Sequence, residues 1–225
     1  MITNKKILIT GGAGFIGSHL VEVLANNGNE VVVLDNLLRG NKIPSETFKK
    51  ITFLNEDVTH LDSVLNASIG CDMIFHFAAI LGVDIVADNP METMETEVVG
   101  TQNVVKAALQ HNVSKIIYAS TSGVYGHNAL EKSVTEEILV DPRTSYAMAK
   151  RYNEIYLAAV ALREQKNIKV PIIATGHLTA LGVSQSDSVR DIYIGTLDGF
   201  AADGFPPADY IALGHIHRPQ IVAKS

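Results

Sequence analysis

One short stretch near the start limits the fold more than any other. Thr10-Gly11-Gly12-Ala13-Gly14-Phe15-Ile16-Gly17 follows the apolar run Ile7-Leu8-Ile9 and opens a helical pattern reaching Asn26. Glycine at 11 permits a tight strand-to-helix turn, glycine at 14 lets backbone amides approach a phosphate, and glycine at 17 lets helix and strand pack closely. The first turn of the helix adds partial positive charge. A chain that begins this way is committed to a parallel strand–helix–strand crossover able to hold a dinucleotide.

The remainder obeys that commitment as far as about residue 165. Apolar runs at 31–34, 51–54, 73–77 and 116–118 alternate with helical patterns, the longest at 94–110 and 145–165. Strands without polar alternation are covered on both faces, so the succession predicts a doubly wound, parallel α/β sheet. With 47% hydrophobic and 19% charged residues in 225, the chain can bury a full core and is not globally disordered. A net charge of −6 speaks against a nucleic-acid partner, and no apolar run approaches a membrane span. Cys71 is the single cysteine, so no internal disulfide forms, and the glycine-broken start is no signal peptide. The expectation is a cytoplasmic protein.

Two acids extend the cofactor reading. Asp35, with Asn36 after it, ends the second strand, where a carboxylate accepts hydrogen bonds from the adenosine ribose and repels a 2′-phosphate. NAD is therefore favoured over NADP. Asp57, followed by Val58, sits after the third strand on a loop able to reach the adenine.

Tyr146 and Lys150 stand four apart at the start of a helix and share one face. An ammonium beside a phenol favours phenolate, so Lys150 is expected to lower the Tyr146 pKa toward working pH. Tyr146 could then exchange a proton with a substrate hydroxyl, and Lys150 could also hold the nicotinamide ribose. The segment Tyr118-Ala119-Ser120-Thr121-Ser122-Gly123-Val124-Tyr125-Gly126 ends a strand with hydroxyls able to stabilise the same substrate oxygen.

With these motifs in order, residues 1–167 resemble the extended short-chain dehydrogenase/reductases, the NAD-dependent sugar-nucleotide epimerases and dehydratases with a Rossmann-like domain. The family's glycine motif matches Gly11, Gly14 and Gly17, with Phe15 and Ile16 between, and its strand acids match Asp35 and Asp57. Its fourth-strand signature matches Phe75-His76-Phe77-Ala78-Ala79, which adds Phe77, Ala78 and Ala79 to the cofactor-binding set. Its hydroxyl position falls on Thr121 and its Tyr-x-x-x-Lys on Tyr146 and Lys150. The resemblance implies NAD, a nucleotide-sugar substrate and a homodimer formed through a helix pair. Glu97 departs from the pattern, standing where many members carry asparagine before Gly100-Thr101. The family's Arg…Asn…Tyr-Gly-Pro segment and substrate-binding region have no counterpart, which implies an impaired substrate site.

Residues 168–225 resemble a different family, the calcineurin-like metallophosphoesterases, among them the nuclease subunit of SbcCD. The carriers are Pro171-Ile172-Ile173-Ala174-Thr175-Gly176-His177 and Asp209-Tyr210-Ile211-Ala212-Leu213-Gly214-His215-Ile216-His217. In that family such histidines bind metal, implying His177, His215 and His217 here. The bridging carboxylate motifs of a two-metal site are absent from the sequence, so neither Mn²⁺ nor Zn²⁺ is expected. The sequence thus reads as a 1–167 NAD-binding domain joined to a 168–225 fragment whose strands at 170–174 and 210–213 could continue the sheet. Three functions compete: an epimerase/dehydratase-type enzyme, an NAD-binding module without turnover, and the remnant of a metal-dependent phosphoesterase.

Overall fold

The computed structural model describes residues 1–80, 82–129, 134, 135, 137–166, 173–176 and 210–213. The chain divides into two units, Met1–Ala158 and Ala159–Ser225. The seam expected at 167–170 lies outside the described residues.

In the first unit, strand β1 (Lys6–Thr10) leads through the glycine turn into helix α1 (Phe15–Asn26), then to β2 (Glu30–Leu34) and the short α2 (Ser45–Phe48). β3 (Thr52–Leu54), α3 (Leu61–Ser68), β4 (Met73–His76), α4 (Val83–Asp88) and α5 (Pro90–Gln110) follow. Pro90 suits the first turn of α5, where a missing amide hydrogen costs nothing. β5 (Lys115–Tyr118) then leads to a 3₁₀ segment, Ser122–Ala129, and α6 (Ser145–Gln165) carries the chain across the unit boundary.

The five strands lie in the order β3-β2-β1-β4-β5, all parallel. Their side chains alternate between two cores. Ile7, Ile9, Val31 and Val33 pack with Val21 and Leu24 of α1 on one face. Leu8, Val32, Leu34 and Ile74 pack with Val64 and Ala67 of α3 and Val104, Ala107 and Ala108 of α5 on the other. Both faces are covered, which is why these strands read as unbroken apolar runs.

The register matters most for the site. Thr10 pairs with Leu34 and His76, Leu34 with Leu54, and His76 with Tyr118. All five strands therefore end on one line, and the segments that follow them leave the sheet along the same carboxyl edge. Ligands bind at that edge in open α/β sheets, where the strand order reverses about β1.

In the second unit, β6 (Ile173–Gly176) and β7 (Tyr210–Leu213) pair in parallel, Ile173 beside Tyr210 and Gly176 beside Leu213. This corrects the expected continuation of the main sheet. Among the described residues these two strands form a two-stranded sheet of their own, separate from the five-stranded one. His177, His215 and His217 lie outside the described residues. Among the described residues no group of three or more His, Cys, Asp or Glu side chains could hold a metal ion, and no helix is long and apolar enough to cross a membrane.

Candidate active site

The glycine turn closes by backbone packed on backbone. Gly11 has φ +69, and a Cβ there would lie 2.6 Å from the Ala78 nitrogen and 2.7 Å from the Phe77 carbonyl carbon. A Cβ on Gly17 would lie 2.7 Å from the Gly12 Cα. Gly14 differs: a Cβ there would meet only the Gly11 oxygen, at 3.3 Å, so its outward side is open. Gly14 caps α1 with extended backbone and no side-chain cap, and the helix's bonding begins with Ser18 N–H donating to Gly14 O at 3.0 Å. The amides of Phe15, Ile16 and Gly17 are those a helix leaves unpaired. Free amides, an open approach and positive helix charge together fit a diphosphate.

The acids sit beside that turn. Asp35 accepts from Ala13 N at 2.9 Å and from Leu37 N at 2.8 Å, tying the end of β2 to the turn. Asn36 Nδ2 donates to Asp57 Oδ2 at 2.8 Å, so the loops after β2 and β3 meet. Burial pushes the Asp57 carboxyl up, but bonds from the Thr59 hydroxyl and amide and from Asn36 outweigh it and hold the group below the usual carboxylate range. Val58 is buried, and its carbonyl accepts from Asn103 of α5 at 3.1 Å. Phe77 and Ala78 lie against Gly11, with Phe77 N donating to Thr10 O at 3.0 Å, and the half-buried Ala79 follows them.

Between this cradle and α5 runs a chain of hydrogen bonds through His76. Thr101 Oγ1 donates to the Glu97 carbonyl at 2.7 Å, so it must accept from His76 Nε2, 3.0 Å away. Nδ1 is then the acceptor, and Thr10 Oγ1, 2.7 Å distant, donates to it while accepting from Ala78 N at 3.3 Å. Every bond points the same way, and the imidazole is neutral. Complete burial, aided by the Lys150 charge, drops its pKa to about 3.

The Tyr146–Lys150 pair departs from expectation. Lys150 is 1% exposed, and its Nζ lies 3.0 Å from Oε2 of the fully buried Glu97. The contact is a buried ion pair, and neither Glu97 carboxylate oxygen has a hydrogen-bond partner besides Lys150 among the described residues. The ammonium lies 4.6 Å from the Tyr118 ring centroid and 5.4 Å from that of Tyr146. Burial pushes Glu97 up and Lys150 down, each countered by the other's charge. Tyr146 is not lowered. Burial, and then the Glu97 carboxylate, push its phenol up to about 12.

Thr121 stands where β5 gives way to the 3₁₀ segment, and its hydroxyl accepts from Gly123 N at 3.1 Å. A Cβ on Gly123 would lie 3.4 Å from Thr121 Oγ1 and 3.5 Å from the Ala147 Cβ, so the Thr121 turn packs against α6 beside Tyr146. Sequence reasoning missed Glu97, Tyr118 and Asn153 as parts of this centre. Asn153 Nδ2 donates to the Glu97 carbonyl at 2.9 Å and lies 3.0 Å from the Tyr118 hydroxyl. The available signal was a glutamate on the apolar side of α5, four before Thr101.

Comparisons with known proteins accord with this geometry. A UDP-N-acetyl-alpha-D-glucosaminuronate decarboxylase of Bacillus cytotoxicus is 33% identical over 215 residues, covering 93% of this chain and 64% of that protein. The NAD complex of a UDP-glucose 4-epimerase from Thermus thermophilus superposes with TM-score 0.63 at 30% identity, over 80% of this chain and 57% of the other. The chain thus spans less than two thirds of the length of either. The nuclease subunit of SbcCD from Escherichia coli is 55% identical over 97 residues, 43% of this chain and 22% of that protein. The model of the NAD dependent epimerase/dehydratase family matches residues 7–194, and this chain belongs to that family.

Proposed function

We propose that this chain binds NAD and carries the proton-transfer centre of an epimerase/dehydratase-type enzyme acting on a nucleotide sugar. The single observation that carries the reading is the alignment of all five strand ends, which sets the open Gly14 turn, Asp35, Asp57 and the segment leading to Thr121 along one edge of the sheet. Bound nicotinamide would supply reversible oxidation of a sugar carbinol. The amides of Phe15, Ile16 and Gly17 would hold the diphosphate, and Asp35 the adenosine ribose. Tyr146 would hold or release the proton at the carbinol oxygen, with Thr121 Oγ1 as a second hydrogen-bond partner for that oxygen. Lys150, paired with Glu97, would hold the nicotinamide ribose.

A specific observation favours a second reading, an NAD-binding module with little turnover. The similarity to the nuclease subunit occupies 43% of the chain, and residues 168–225 carry no counterpart of the family's substrate-binding motifs. The phosphoesterase reading rests on His177, His215 and His217 and on the partial similarity to the nuclease subunit, which covers 22% of that protein.

Calorimetric titration with NAD tests the shared premise: micromolar to low-millimolar binding is expected, and its absence in folded protein defeats both readings. Cofactor reduction against a panel of UDP-, GDP- and dTDP-sugars separates enzyme from module. Manganese-dependent cleavage of a nitrophenyl phosphodiester, abolished in His215→Ala, would support the phosphoesterase.

A further inference from the structure

We propose that Glu97 is a positioning residue of the proton-transfer centre: its buried carboxylate draws the Lys150 ammonium inward and so keeps Tyr146 in the phenol form in the cofactor-free protein. This rests on the reading of Tyr146 as the proton-transfer group and adds a residue that acts on it through Lys150.

Geometry carries the case. Glu97 on α5 and Lys150 on α6 are both withdrawn from water, with Nζ and Oε2 3.0 Å apart. A buried carboxylate is costly unless a cation or several donors answer it. Here no other group donates to either Glu97 carboxylate oxygen among the described residues, so Lys150 is the answering charge. The backbone above is fully engaged: the Glu97 carbonyl takes bonds from Thr101 and Asn153, which fixes the helix turn that aims the carboxylate. The ammonium is boxed by that carboxylate and by the Tyr118 and Tyr146 rings, at 4.6 and 5.4 Å from their centroids. A lysine held this way presents Tyr146 with a neutralised pair in place of a bare cation, and the phenolate loses its stabilising partner.

The other titratable groups around the pair do not substitute for Glu97. His76 on β4 is buried and neutral. Tyr118 on β5 is kept protonated by burial, beside Asn153. Glu154 on α6 is occupied by the Ser120 hydroxyl and by Arg151 at 2.8 Å. Tyr146 itself is pushed up by burial first and by Glu97 second, which supports the assignment.

The test reads Tyr146 directly, in the full chain without NAD, by NMR of ring-labelled tyrosine with Tyr146→Phe to assign the resonance. Wild-type Tyr146 is expected to remain a phenol to about pH 10, and Glu97→Gln to lower its midpoint by about one unit or more. Glu154→Gln should leave the midpoint in place. An unmoved midpoint in Glu97→Gln, or an equal shift in Glu154→Gln, overturns the proposal. Should Glu97→Gln not fold, carboxyl-labelled glutamate in the wild type decides: a Glu97 carboxylate at neutral pH is required, and a protonated one refutes the role. NAD calorimetry on the same samples keeps the two claims apart. Binding with no Tyr146 shift removes only this inference, whereas a shift with no binding removes the proposed function and leaves the effect of Glu97 on the Tyr146 phenol without a catalytic role.

Discussion

The glycine turn after β1 and the Tyr146–Lys150 centre between α5 and α6 belong to one unit but are built on opposite physical terms. The turn is specified by missing side chains. Gly11 and Gly17 are needed because a Cβ on either would fall within 2.7 Å of backbone atoms that have no room to move. The centre is specified by what side chains carry: two full charges, withdrawn from water, matched to one another across two helices. A region defined by steric absence tolerates no addition, while one defined by charge balance tolerates no single removal.

Tyr146→Phe tests the functional side of that contrast with the largest expected effect. Turnover on a responsive sugar nucleotide should fall by about 10²–10⁴-fold, the usual worth of a proton-transfer group, while NAD affinity measured by calorimetry stays nearly constant. Joint loss of both would erase the distinction between the regions. Next comes Lys150→Met, which strands a buried carboxylate and should cost about 4 kcal/mol in urea unfolding. Adding Glu97→Gln should return most of that loss; if the double variant is no better than the single, the two charges are not coupled. On the other side, Gly17→Ala should destabilise by about 3 kcal/mol through backbone overpacking, with no compensating second change available. Smallest is a pH effect at the joint between the regions. The folded protein keeps His76 neutral to about pH 3, whereas an unfolded histidine takes up a proton near 6.5. The unfolded state therefore binds more protons below 6.5, and stability falls as pH drops, by about 2 kcal/mol on reaching about pH 5. Urea midpoints of His76→Gln over that range should be flatter by this amount; parallel profiles would show that His76 is not held neutral.

The same contrast governs what could be read from the sequence. The turn was legible because its requirements are local: three glycines at fixed spacing after an apolar strand mean one geometry, and Asp35 and Asp57 follow at the ends of the next two strands. The doubly wound sheet was legible for a related reason, since burial on both faces leaves unbroken apolar runs. The state of Lys150 was not. Spacing puts Tyr146 and Lys150 on one helical face, but the partner that decides the ammonium's effect comes from a different helix, and nothing local to Glu97 says which cation it meets. Nor did the runs near 170–174 and 210–213 disclose their pairing, because a strand carries no mark of which sheet it joins.

The one-directional chain from Ala78 N–H through Thr10, His76 and Thr101 to the Glu97 carbonyl constrains which substitutions can survive. Valine matches threonine in shape, yet at position 10 it would leave both the Ala78 amide and one imidazole nitrogen stranded, and at 101 it would strand the other nitrogen. Since each member faces one neighbour as donor and the next as acceptor, none can be swapped for a residue with a single polar role. Positions 10, 76 and 101 are thus bound to a shared fate, to be kept or replaced as a set.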